Sequence, residues 1–266
     1  MLAMIDQSAL DGEVGRLLGI LYAKRLASLE KLKLTKLLNK NPYLYRALGI
    51  EDSSELLRQL LIAFVSSSDE TIFGNEFFEP LVLWAATSSN QHSGGHRTVT
   101  VSDGAGVDVS IKNSTTHMAI AVKSSKGIFN SQSQKGQNLE FNQMQARAKK
   151  SGLEFMAIVG FGYGRKRDPK KSQVIVKLAG EKFWALLTGE DNFYLRIAVA
   201  VGEFSAGHGD NYRKAFDKKC NALVKEFSIN FVDGKGSISW DKVVIFNSAA
   251  SKPKALKKAK QKAVGT

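Results

Sequence analysis

Apolar positions near a 3.6-residue period predict a long helix over residues 8–38, carried by Leu10, Val14, Leu17, Leu18, Leu21, Leu26, Leu29, Leu32 and Leu34. Asn41-Pro42 is expected to break it, because proline has no amide hydrogen and restricts the residue before it. A second helix is expected from about Ser53 to Val65, capped by Ser53 or Ser54, with Leu56, Leu57, Leu60, Leu61 and Phe64 as its buried stripe. SSSDET (66–71) reads as a loop. A third helix covers about 72–86 and contains Glu76 and Glu79, and SSNQHSGGH (88–96) reads as a polar loop.

The period then changes to two. Residues 107–111 read as a short strand, NSTT (113–116) as a turn, and 117–123 as a second strand. Met118, Ile120 and Val122 fall on one face of that strand, with Ala119, Ala121 and Lys123 on the other. Residues 135–151 look helical. The near-continuous apolar run 155–161 suits a strand buried on both faces, and 173–178 is a further strand. Helices follow at about 180–188, 191–204 and 210–227, and a hairpin-like piece around DGKG (233–236) ends at Trp240. This order predicts an α/β fold, a central mixed sheet flanked by helices, with helical N- and C-terminal regions. The expected organisation is one domain over 1–248, with a helical part at 8–86, a core at 98–180 and a helical part at 181–248, and a basic, disordered tail over 249–266.

Charge changes the picture more than composition does. Lys and Arg total 38 against 25 acids, giving +13. Six lysines fall in 252–266, so the body alone keeps +7 of that charge. Such a surplus favours a polyanionic partner through Coulomb attraction and counterion release. The lone Cys220 excludes an internal disulfide, and His92, His96, His117 and His208 form no zinc spacing. These features, with acids near the N-terminus and no long uncharged apolar run, lead to the expectation of a cytoplasmic protein without a membrane span.

The chemistry-bearing candidates are Asp108, in GVDVSI, and Lys123, in IAVKSSK, fourteen residues apart on strands that a short turn makes neighbours. A hard oxygen ligand and an ammonium on one face are what metal-assisted phosphodiester hydrolysis needs. The carboxylate binds Mg²⁺, and the lysine orients water and offsets charge at phosphorus. The pair alone is a weak signal, since acids and lysines are common at strand edges. Lys126 and the polar run NSQSQKGQN (130–138) follow directly, and Asn130, Ser131, Gln132, Gln134 and Lys135 can bond phosphates or base edges. GFGYGRK (160–166) lacks the Lys-Ser/Thr of a nucleotide loop and reads as a strand end, with Arg165 and Lys166 available to phosphates.

The spacing resembles the PD-(D/E)xK nuclease pattern, with Ala121 where the middle acid stands. More blocks of the chain resemble the PmeII-type family of type II restriction endonucleases within that superfamily. These are KNPYLYRALGI (40–50), ETIFGNEFFE (70–79), GVDVSI (106–111), AVKSSKG (121–127), FNSQSQ (129–134), VGFGYGR (159–165), EKFWALLTGEDNFY (181–194) and DGKGSISW (233–240). The resemblance implies a restriction-endonuclease-like fold and Mg²⁺-dependent cutting of both strands of double-stranded DNA. The cut would fall at a short palindromic or interrupted palindromic site and be made by a bacterial homodimer. By position it implies Asp108 as metal ligand and Lys123 as catalytic lysine. Glu79, or else Glu76, would complete the metal site, and Val122 joins the candidate ligands. A repair or junction nuclease of the same superfamily, and a DNA-binding protein without catalysis, remain as alternatives.

Overall fold

The structure is a computed structural model that describes residues 4–102, 104–123, 131–167, 169, 175–251 and 255–257. The chain divides into two compact units. One comprises residues 1–22 and 70–207, the other 23–69 and 208–266.

The first unit is built on a mixed sheet in the order β1-β2-β3-β4-β5. Its strands are Thr98–Val101, Val109–Lys112, Thr116–Lys123, Glu154–Phe161 and Ile175–Ala179. The first three strands pair antiparallel, and β3, β4 and β5 pair parallel. This is the expected α/β class. The alternation read from the sequence decides what each face buries. Val109, Ile111, Ile120, Val122 and Ile158 share one core with Leu81, Val82, Phe183 and Trp184. On the opposite face Ala119, Ala121 and Ala157 are small enough to admit Phe141 and Met144 of the crossover helix α6, Ser131–Lys150. Strand β1, absent from the sequence reading, is a four-residue edge strand with a mostly exposed pattern.

The helices depart from expectation where local signals compete with tertiary packing. α1 runs Gln7–Lys31, and a separate turn α2, Leu34–Leu37, follows it. Asn41-Pro42 starts a helix as well as separating two. The Asn41 side chain accepts the Tyr43 N–H at 3.0 Å, and Pro42 takes the first position of α3, Pro42–Ala47, where its missing N–H costs nothing. SSSDET is not a loop. α4 spans Ser53–Phe73, a π-helical segment covers Gly74–Phe78, and α5 covers Glu79–His92. The polar stretch 88–92 expected to be loop is therefore helical, with Ser89 and Asn90 buried. Asn90 is held there by the Arg97 backbone, whose N–H it accepts at 2.9 Å.

Residues 193–231 form one helix, α8, and not two, and it runs through Gly202, Gly207 and Gly209, where an added Cβ would meet nothing within 4 Å. α7, Glu181–Thr188, ends at Gly189, whose positive φ of 77° lets its N–H bond the Ala185 carbonyl. The DGKG segment is a turn closed by the Val232–Ile238 bridge, followed by an unanticipated helix α9, Trp240–Ser248.

The second unit is helical around its own core, which includes Leu29, Leu37, Leu57, Leu61, Leu223, Phe227 and Val243. In it Asn230 exchanges two hydrogen bonds with the Lys257 backbone, so this part of the tail is tied to α8.

Candidate active site

Asp108 stands one residue before β2 and is fixed on three sides. Its N–H bonds the Ile120 carbonyl at 2.8 Å, and its carbonyl accepts the Ser102 N–H at 3.1 Å. Its side-chain Oδ2 accepts the Val122 N–H at 2.6 Å. The β2–β3 register pairs Val109 with Ile120, which puts Asp108 opposite Ala121 and Lys123 two residues further along the same face. The expected hairpin thus brings the two residues together. Ala121, in the place of the missing acid, is fully buried against the α6 face, where a carboxylate would be desolvated.

The helical arm made by the π-helical segment and α5 brings a second carboxylate, Glu79, within electrostatic reach of Asp108. The π-helical segment lies against β3, and the Glu79 N–H bonds the Gly74 carbonyl. Burial pushes the Glu79 carboxyl up to about 7; the Asp108 charge adds to the rise, Lys123 opposes it, and Glu76 adds the smallest part. Burial also raises the Asp108 carboxyl, against the Val122 N–H and Lys123, which favour its charged form. Glu79, Asp108 and Lys123 therefore share one electrostatic site, with Glu76 beside it. π-helical turns recur at functional sites, and here the turn sets where Glu79 emerges.

The glycines of GFGYG explain how the arm is held. A Cβ at Gly162 would lie 2.4 Å from the Phe78 ring, and one at Gly160 would lie 2.1 Å from Phe183. Trp184 Nε1 donates to the Gly162 carbonyl at 2.9 Å. This stretch is a close-packing device at the end of β4, whose Phe161 pairs with Lys123. Arg165 and Lys166 follow it as exposed cations, with Lys166 Nζ 4.7 Å from the Phe161 ring centroid.

The remaining candidates divide. Val122 has its side chain in the apolar core, so only its backbone can serve a ligand. Lys126 and Asn130 lie outside the described residues, as do the side chains of Ser131 and Gln132. Gln134 is half-buried and Lys135 exposed in the first turns of α6. Among the described residues no group of three or more His, Cys, Asp or Glu side chains gathers to hold a metal. One contributor escaped the sequence reading. Gln137 is buried and donates Nε2 to the Gly106 carbonyl at 2.8 Å, bracing the loop that leads into Asp108. The available signal was an amide on the stripe otherwise formed by Phe141, Met144 and Ala148.

A mixed five-stranded sheet flanked by helices, with an acid and a lysine on adjacent strands, is consistent with the restriction-endonuclease-like fold. Over residues 10–207 the sequence matches the type II restriction endonuclease EcoO109I family, and the chain belongs to that family. It is a site-specific deoxyribonuclease of a restriction system. The match bears out the type II restriction class but gives no support to the PmeII-type grouping. No curated protein matches the chain. No helix among the described residues is long and apolar enough to cross a membrane.

Proposed function

We propose that this enzyme hydrolyses both strands of double-stranded DNA at a short palindromic or interrupted palindromic site, using Mg²⁺ and acting as a homodimer in the bacterial cytoplasm. The observation that carries the reading is the Val122 N–H to Asp108 Oδ2 bond of 2.6 Å. It commits one oxygen of the carboxylate to the sheet, and the charge of the group is felt at Glu79. Type II restriction endonucleases generally use a divalent metal. The donor set fits a hard cation, because Asp108 and Glu79 are oxygen donors, and burial together with the Asp108 charge raises the Glu79 carboxyl to about 7, a strain that a cation would relieve. Asp108 and Glu79 would hold the ion, with a backbone carbonyl and water completing it. When bound, it supplies Lewis-acid stabilisation and an activated water.

The chain's own groups do the rest. Lys123 places a positive charge beside the scissile phosphate and orients the attacking water. Asp108, fixed by Val122, keeps that geometry in register with the strand. Arg165 and Lys166 neutralise neighbouring phosphates and position the duplex without reading sequence. Twofold DNA is matched by a twofold protein, and each subunit cuts one strand.

Plasmid or phage DNA incubated with the enzyme and Mg²⁺ should give discrete fragments that vanish without metal and with Asp108→Ala. Nicking that depends on DNA structure, or binding without cutting that Asp108→Ala leaves unchanged, overturns the reading.

A further inference from the structure

Helix α6, Ser131–Lys150, carries an exposed polar stripe among its described residues. Its inner stripe is Gln137, Phe141, Met144 and Ala148, all buried. At the same spacing, one residue on, run Lys135, Asn138, Asn142, Gln145 and Lys149, all exposed. At about 100° per residue these five fall within an arc of about 80°, and along the axis they span about 21 Å. The stripe carries no acid. The one acid of the helix, Glu140, lies off it and bonds Arg147 at 3.0 Å. Asn138, Asn142 and Gln145 make no side-chain hydrogen bond to another described residue. Beside them Asn142, Gln145 and Lys149 wall a groove of about 470 Å³ whose other side is Leu153 and Phe155.

We infer that this stripe is the base-reading element of the enzyme: Asn138, Asn142 and Gln145 hydrogen-bond base edges in the DNA major groove, and Lys135 and Lys149 hold phosphates at its two ends. The proposal rests on the restriction-endonuclease reading above and adds to it the surface that selects the sequence. The exposed amides in this row make no side-chain hydrogen bond to another described residue, and Asn and Gln offer the paired donor and acceptor that adenine's N6 and N7 require. An α-helix fits the major groove, and about 21 Å of helix covers about six base pairs at 3.4 Å each. The charge is complementary, since the stripe ends in lysines and the chain carries +13. The connection is short as well. α6 begins eight residues after Lys123, so base reading and phosphate chemistry share one stretch of chain.

The test is a randomised-duplex selection with the full-length protein, read both by binding in Ca²⁺ and by cleavage in Mg²⁺. Wild type should enrich one site. Asn142→Ala/Gln145→Ala should keep its thermal midpoint and lose at least about tenfold of the discrimination at one or more base pairs. Lys149→Ala should weaken binding to all sequences alike and lower the salt slope by about one. An unchanged site preference in the double variant overturns this inference while leaving the enzyme reading intact. Failure of the wild type to bind or cut any duplex overturns both. If the double variant folds but no longer cuts, the binding selection decides: a flattened preference supports the stripe, and an unaltered one refutes it.

Discussion

The Val122 N–H donates to Asp108 Oδ2 at 2.6 Å, joining the start of one strand to the end of its neighbour. A carboxylate held by backbone cannot rotate away from the site, so its geometry exists before any ligand arrives. Asp108→Asn can still present an oxygen to Val122 but loses the negative charge. Single-turnover cleavage should fall by at least about 10³-fold. The thermal midpoint should hold or rise, because the charge it removes is one that burial disfavours. A rate within tenfold of wild type would show that Asp108 is not the ligand.

Lys123 is separable from that effect. Lys123→Ala removes charge stabilisation without touching the Asp108–Val122 bond, and its expected loss is about 10²–10³-fold in cleavage rate with DNA affinity little changed. Lys123→Arg should recover little, since a planar guanidinium does not replace a compact ammonium. Parallel gel-shift and single-turnover measurements check both statements, and a loss confined to affinity contradicts them.

Gln137 offers a finer test of how the site is braced. Its bond to the Gly106 carbonyl at 2.8 Å is part-buried, and Gln137→Ala removes the side chain that holds that carbonyl two residues before Asp108. The expected cost is about 1–2 kcal/mol in urea unfolding. Cleavage should slow by about tenfold at temperatures where the variant is fully folded, without loss of DNA affinity. Destabilisation with an unaltered rate would reduce Gln137 to a core residue.

The strands of the site were readable because alternation is a local property. Met118, Ile120 and Val122 against Ala119, Ala121 and Lys123 already assigned the two faces that the sheet realises. The pair Asp108 and Lys123 was found by the same route, through a turn at NSTT that the Asn113 N–H to Thr116 carbonyl bond closes at 3.0 Å. The helices were less legible. Serines at 66–68 read as loop because their side chains compete for backbone hydrogen bonds, yet α4 continues through them. Glu79 could not be ranked over Glu76 from ideal helical spacing, because the π-helical turn between Gly74 and Phe78 alters the rotation between them. Gly160 and Gly162 carried a packing message that no local pattern reveals, since Phe78 and Phe183 arrive from distant segments.

The first unit also contains an ion pair with a stated stability role. Arg196 bonds Glu190 at 2.5 Å and the Ile5 carbonyl at 2.5 Å, and Glu190 in turn accepts the Ile5 N–H at 3.0 Å. Both side chains are largely buried, at 14% and 7% exposure. Removing either leaves an uncompensated charge, so Arg196→Ala should lose about 3–5 kcal/mol in denaturant unfolding. The double variant Arg196→Met/Glu190→Gln should lose less than the single one. If the double loses as much as both singles summed, the two residues act independently and the pairing is not what matters.

Glu79 gives the pH signature of the site. Its carboxyl lies at about 7 in the folded protein against 4.5 for the free group. Between those values the folded state binds more protons than the unfolded one, so Glu79 makes stability fall as pH rises from about 4.5 to about 7 and adds no slope above. A shift of this size corresponds to about 3 kcal/mol without screening. Glu79 is only half-buried, so solvent reduces it to about 1 kcal/mol. Glu79→Gln should therefore show a shallower decline over that window, and the gap between the two proteins should stay constant above it. Mg²⁺ adds a second sign. At pH 8 it should raise the wild-type thermal midpoint, because a bound cation offsets the Asp108–Glu79 repulsion, and it should do so far less in Glu79→Gln. Parallel stability curves from pH 5 to 8, with equal Mg²⁺ shifts in both proteins, would place Glu79 outside the metal site and return Glu76 as the candidate.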